Sequence, residues 1–437
     1  MTYLYRVRWL LLALLIGLAP FHAFLITWAK SALPGELAVG LSVWREAAVI
    51  SIGFIVVIEI LVKKRLPKLD ALDFAIIGYF ALAVIWIFFQ AKNPVQWGLG
   101  FRFDVLPFLF FMIVRQVEWE KEKVLARVAL GSAAIVIVFG LVHAIILPRD
   151  FLVNFGYSTY QGQYQPEIAV SACQFLEHTK SVCRAISTFG GPTRYGVYLM
   201  VVLGLLLPFL ANKSKYRIYA GALTGLAILS AILTYSRSVW IGVLAMAAFA
   251  AFIFLRNKSV AEKLKKHMRS FVIVACAALT VVLVCGGFWV ASELRDQNSF
   301  LRTVLVRTSS SSEHLMLAKE GLNKTIQHPF GIGLGTAGPA SVRFDKFLTE
   351  NWFLQISVET GVIGLLIFLA ILFFMSKHLL AKRLADERSL AKIGLFLSLI
   401  GICATGLFTH SFEETSAVLI LMAFAGVLLN KERQTEL

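Results

Sequence analysis

Arginines and acids carry the chemistry this chain can offer. Arg102 stands in Phe101-Arg102-Phe103-Asp104, Arg184 follows Cys183, Arg194 follows Gly190-Gly191-Pro192-Thr193, and Arg237 lies in Thr234-Tyr235-Ser236-Arg237-Ser238. A guanidinium is a planar fork that holds phosphate or carboxylate through parallel hydrogen bonds, where lysine offers a point charge. Singly, each arginine is explained by snorkelling or by pairing with Asp104 or Glu413. As a set they fit an anion site. Glu350 closes a polar stretch and is followed by an apolar run, with Glu359 nine residues later, about 13 Å deeper along a helix. A carboxylate in a first helical turn is stabilised by the helix dipole. Beside bound phosphates, the same group is placed to accept a proton. Glu359 sits where an acid is costly unless it faces protein or water, so it is a functional candidate by default, with intramembrane support as its candidate role. His328 opens His328-Pro329-Phe330-Gly331-Ile332-Gly333-Leu334-Gly335; it either ends a helix or joins the anion site.

Other groups read more blandly. His314 is a lone loop histidine, a type that is usually structural. His410, Glu413 and Glu414 share one turn, where pairing with the arginines accounts for them. Gly331, Gly333 and Gly335 follow no strand and lack the spacing of a dinucleotide fingerprint, although their N–H groups suit a close turn or a phosphate. No His or Cys pair has metal-ligand spacing, so neither metal nor other cofactor is expected.

The elements that must position these residues are membrane spans. The 437 residues are 58% hydrophobic and 16% charged, and apolar runs of about 20 residues match the hydrocarbon thickness. This is the pattern of an all-α polytopic membrane protein, not of a β-barrel with its short alternating strands. About twelve spans are expected, over residues 9–29, 43–62, 72–90, 101–115, 125–147, 191–211, 217–235, 238–255, 271–291, 351–375, 392–409 and 414–430. No cleavable signal peptide is expected, because the first apolar run is long and lacks a small-residue cleavage site.

The net charge of +16 follows from topology and not from a nucleic-acid partner. With both termini cytoplasmic, one side of the membrane collects the basic loops, among them Lys63, Lys64, Arg65 and Lys68, and Lys377, Lys382, Arg383 and Arg388. That is the positive-inside pattern. The chain is then a single integral membrane domain, residues 1–437, with long outer loops at 148–190 and 292–350. Cys173 and Cys183 lie in the first of these; if it faces an oxidising compartment, a disulfide is expected. In the second, Ser310 and Glu313 fit a capping box. Leu315, Ala318, Leu322 and Ile326 recur at helical spacing, and His328-Pro329 with Gly331 stops the helix. A short amphipathic helix along the outer membrane surface is expected there.

Taken in order, Ser187-Thr188-Phe189-Gly190-Gly191-Pro192, Thr234-Tyr235-Ser236-Arg237-Ser238, His328 through Gly335, and Glu350-Asn351 with Glu359, Gly361 and Gly364 resemble the bacterial O-antigen ligase and O-antigen polymerase superfamily of integral membrane glycosyltransferases. The resemblance implies inner-membrane transfer, at the periplasmic face, of a glycan from undecaprenyl diphosphate to an acceptor hydroxyl. It also implies inversion at the sugar, no metal, and arginines on the diphosphate leaving group. Other polysaccharide-assembly proteins are implied as partners. In the lipid A-core ligases a histidine stands at the loop-to-span junction. Glu350 holds that position here, which favours a polymerase, with Glu350 as the base; a ligase joining glycan to lipid A-core is the alternative. A transporter or flippase for an anionic amphipath is the competing class, with the arginines as its vestibule, and a non-catalytic scaffold in a polysaccharide-assembly complex is a third.

Overall fold

The computed structural model of the chain describes residues 2–64, 68–89, 93–119, 121–159, 170–176, 182–211, 216–256, 308–344, 347–380 and 386–430. Among them there is no strand, only the isolated bridges Ser158–Ser171 and Phe175–Cys183. The helices in chain order are α1 (Thr2–Leu18), α2 (His22–Ala32), α3 (Gly35–Ser42), α4 (Trp44–Lys63), α5 (Ala71–Phe89), α6 (Pro94–Asp104), α7 (Leu106–Val114), α8 (Glu122–Ile145), α9 (Pro192–Ala211), α10 (Arg217–Leu233), α11 (Arg237–Arg256), α12 (Thr308–Gln327), α13 (Trp352–Leu379), α14 (Glu387–Gly406) and α15 (Thr415–Leu428).

Seven stretches among the described residues are long and apolar enough to cross a membrane: Tyr3–Ala32, Ala71–Phe89, Glu122–Ile145, Pro192–Leu210, Arg237–Phe254, Trp352–Leu379 and Glu387–Gly406. This is a polytopic helical membrane protein. The expected span at 101–115 is instead two helices, α6 and α7, bent by 47°. Pro107 lies in the first turn of α7, where its ring and missing N–H cannot continue the helix before it. The expected span at 271–291 lies outside the described residues.

The helices pack through small side chains, as spans must where no water drives them together. A Cβ on Gly204 of α9 would lie 2.3 Å from the carbonyl oxygen of Gly394 on α14. Ser398 of α14 donates to the Met200 carbonyl at 3.0 Å, and Thr405 to that of Ser238 on α11 at 3.1 Å. Beneath the junction of loop and α13, Trp352 stacks on Phe412 at 5.4 Å, and Phe368 meets Phe412 edge-on at 5.5 Å.

The two ends of the bundle differ chemically. At one end Arg115, fully buried, bonds Asp73 at 3.1 Å and Asp70 at 2.8 Å, and His378, at the end of α13, lies 3.6 Å from Asp70. Arg8 pairs there with Glu59 near the end of α4 and lies over the Trp119 ring at 4.4 Å. The opposite end, where α4 and α13 begin, holds the groups described next.

The outer loop at 148–190 is folded where described. Leu152, Tyr157, Ala172 and Ile186 form a small core of their own. Cys173 and Cys183 are joined by a disulfide with Cα atoms 5.5 Å apart.

Candidate functional site

Glu350 stands outside the helix it was expected to open. Asn351 is the N-cap of α13, its side chain accepting from the Leu354 N–H at 3.0 Å, which satisfies an orphan donor of the first turn. Glu350 itself has φ 47, a left-handed conformation that is uncommon for a residue other than glycine. Its neighbours hold it there. Thr349 is fully buried, and its N–H donates to the Ala337 carbonyl at 3.2 Å. The Asn351 amide donates to the Leu407 carbonyl at 2.8 Å.

The Glu350 carboxylate makes a close ion pair with Nδ1 of His314. Burial pushes this carboxyl up, but its contact with His314 outweighs that and holds Glu350 below its ordinary value. His314 reaches it from α12, which begins at Thr308, so Ser310 falls within its first turn and is not the cap. Gly321 of α12 is close to Thr349, with 3.1 Å left for an added Cβ, and the Thr325 hydroxyl meets that of Ser357 at 2.8 Å. His314, Gly321 and Thr325 are spaced by seven and four residues, one face of a helix. That face points at α13. The expected apolar stripe, with Leu315, Leu322 and Ile326, is exposed on the helix.

Glu359 has a structural occupation. Helix α13 is broken at Gly361, with φ 75 and ψ 179, a combination almost confined to glycine. The loop after α12 threads into that break. Ile332 and Gly333 donate to the Val358 and Glu359 carbonyls, and Val362 donates back to the Pro329 carbonyl, each at 2.9 Å. The Glu359 side chain, fully buried, accepts from the Gly335 N–H at 2.8 Å and the Ala337 N–H at 3.0 Å. Thus the N–H groups of Gly335 and Ala337 are spent on an internal carboxylate. Irregular backbone at this depth survives because protein satisfies it. His328 is exposed and ends α12. Its carbonyl accepts from Gly331 at 2.8 Å.

The arginines fall into two groups. Arg102 pairs with Glu46 at 2.7 Å, and Arg194 lies 3.9 Å from Glu414. Between them is Arg45, 5% exposed, in electrostatic reach of Glu46, Arg102, Glu414 and Arg194. It donates to the Ser416 hydroxyl at 2.7 Å. Arg184 and Arg237 belong instead to the turn between α10 and α11. Nε of Arg184 donates to the Thr234 carbonyl at 2.9 Å, and Arg237 opens α11. The groups adjoin where the Ser236 hydroxyl meets that of Thr193 at 3.1 Å, one residue before Arg194. The Ser187-Thr188 pair sets the approach to α9, Ser187 donating to the Val136 carbonyl and Thr188 to that of Pro20, each at 2.7 Å.

His410, Gln355 and Glu413 link these parts. The Gln355 amide donates to Glu413 at 2.7 Å, and its oxygen lies 2.6 Å from Nδ1 of His410. Burial lowers His410 to about 4, opposed by the Glu350 carboxylate and reinforced by His314 and Arg194. Burial raises Glu413 to about 8. Near neutrality the relay is therefore a neutral imidazole, an amide and a largely protonated acid. His410 interacts with Glu350, His314 and Arg194 alike, so these groups form one site. Among the described residues, no group of three His, Cys, Asp or Glu is arranged to hold a metal ion.

Arg45 and His314 are functional candidates that sequence reasoning passed over. Arg45 carried a signal: Trp44-Arg45-Glu46 places a charge pair at the mouth of an apolar run. His314 carried a fainter one, its seven-residue spacing from Gly321 on the face that packs.

These groups lie together at one end of a bundle of membrane-length helices, the architecture of an integral membrane protein. Residues 222–369 match the model of the O-antigen ligase family, a segment that runs from α10 into α13 and includes Arg237, His314, His328, Glu350 and Glu359. Over 61 residues the chain is 43% identical to an O-antigen polymerase of Salmonella muenchen, a stretch that covers 13% of this chain and 15% of that protein. Both findings support the likeness to the O-antigen ligase and polymerase superfamily that the motifs display.

Proposed function

We propose that the protein joins a glycan carried on undecaprenyl diphosphate to an acceptor hydroxyl at the periplasmic face of a bacterial inner membrane, as a polymerase of surface polysaccharide. The reading rests on one observation: Arg45, Arg102 and Arg194 gather beside the Glu350 junction at one end of an apolar bundle. In this reading both termini are cytoplasmic, about twelve helices cross, and the basic Arg8 and Arg115 end faces the cytoplasm, in keeping with the charge rule. The lipid tail stays with the apolar helices, and the diphosphate takes charge-assisted hydrogen bonds from the arginines. Glu46 and Glu414 hold those arginines ready.

The chemistry follows from the parts. A diphosphate departs readily when fixed cations meet the charge that develops on it. The acceptor oxygen attacks the anomeric carbon from the opposite face, which inverts it, and its proton passes to a base at the Glu350 junction. Neither step calls for a metal.

A deletion strain tests the reading. Its surface polysaccharide is expected to carry single repeat units on the acceptor. Long chains left on the carrier would mean a ligase, and an unchanged glycan profile would remove both activities. Within the site, Arg194→Lys is expected to lose roughly tenfold or more in transfer despite keeping the charge, because lysine lacks the fork. Full activity of a well-expressed Arg194→Ala protein would take that residue out of the diphosphate site.

A further inference from the structure

We propose that His314 takes the proton from the acceptor hydroxyl, and that Glu350 is the positioning residue that fixes the imidazole; the inference rests on the glycan-transfer reading above. Three observations carry it. First, the contact is made by Nδ1 of His314 to the Glu350 carboxylate. A carboxylate beside Nδ1 can only accept, so it favours the tautomer with the proton on Nδ1 and the lone pair on Nε2. A carboxylate that sets a histidine tautomer and orientation is the arrangement in which the histidine serves as base. Second, the His314 side chain is 39% exposed although its Nδ1 is buried, so a substrate can reach the rest of the ring. Third, Glu350 is held in a left-handed conformation, φ 47, between the tethered residues Thr349 and Asn351. Such strain persists where neighbours enforce it, commonly at working sites.

In the step, the acceptor O–H proton moves to Nε2 of His314 as the acceptor oxygen bonds to the anomeric carbon. The bond from that carbon to the phosphate oxygen breaks, and its electron pair leaves with the polyprenyl diphosphate. The imidazolium, stabilised by Glu350, then releases its proton to water. The charged and titratable groups around the pair are His410, from the turn after α14, and beyond it Arg194 of α9. Gln355 and Glu413 are bonded to one another behind His410.

The test uses the full chain, purified, with a polyprenyl-diphosphate-linked oligosaccharide as donor. His314→Ala suits a helical site and is expected to lose roughly 100-fold or more in kcat, with donor binding kept within about threefold. Added imidazole should restore part of the rate. Glu350→Gln should lose less. Glu350→Asp, which keeps the carboxylate, should recover part of what Glu350→Gln loses. A His314→Ala protein within twofold of the parent overturns the assignment. So does one that is inactive and unrescued by imidazole beside an equally inactive Glu350→Gln protein, which would make Glu350 the base. Parent protein that binds donor and transfers nothing to any hydroxyl acceptor would instead defeat the glycan-transfer reading itself.

Discussion

At the scale of residues, burial sets the protonation of two groups that adjoin the Glu350 junction. Glu413 and His410 are shifted in opposite directions by the same burial, and this has a measurable consequence. Glu413 is raised from 4.5 to about 8. Between those values the folded protein holds a proton that the unfolded chain has lost, so this residue costs stability as pH rises through the window. His410 is lowered from 6.5 to about 4. There the unfolded chain binds the extra proton, so stability rises with pH from about 4 to 6.5. Glu413→Gln should therefore gain in melting temperature over the parent between pH 5 and 8, measured in detergent. A constant difference across that range would show that Glu413 does not titrate as its burial requires.

At the scale of elements, the organising feature is the interlock of the α12–α13 connection with the break in α13. It needs glycine at Gly361, because a Cβ there would lie 2.5 Å from the Phe330 carbonyl carbon at φ +75. Gly361→Ala is expected to destabilise the protein by roughly 2 kcal/mol or more. Gly78→Ala, in α5 with nothing within 4 Å of an added Cβ, should be neutral or slightly stabilising. Thermal unfolding of the two proteins side by side checks the contrast; equal melting temperatures would mean that the break is not enforced. The same interlock joins the His328–Gly335 and Glu359–Gly361 stretches. One supplies backbone donors and the other the acceptors.

At the scale of the molecule, the helices place basic turns at one end and the site at the other. Asn154 belongs to the site end and is exposed, and Lys123, 78% exposed, to the basic end. In spheroplasts, a membrane-impermeant thiol reagent should label Asn154→Cys directly and Lys123→Cys only after permeabilisation. The reverse pattern would turn the protein over and move its chemistry to the cytoplasm.

Much of this was legible in the chain itself. Apolar runs of membrane length can only be satisfied as helices in lipid, so composition and spacing determined the fold class. Arg102, Arg194 and Glu350 were found by type alone, because arginines and acids beside apolar runs are costly and invite a reason. What periodicity does not encode is who meets whom. Arg45 and Arg194 are far apart in the chain, and only the packing of α4, α9 and α15 brings them into one field. Glu359 looked like a functional acid by depth; its partners include backbone N–H groups more than twenty residues away and the side chain of Asp104. His314 looked like an ordinary loop histidine until α12 docked on α13. Its partner then depended on a left-handed turn at Glu350 that no local preference predicts, since tertiary contacts on both sides hold it there.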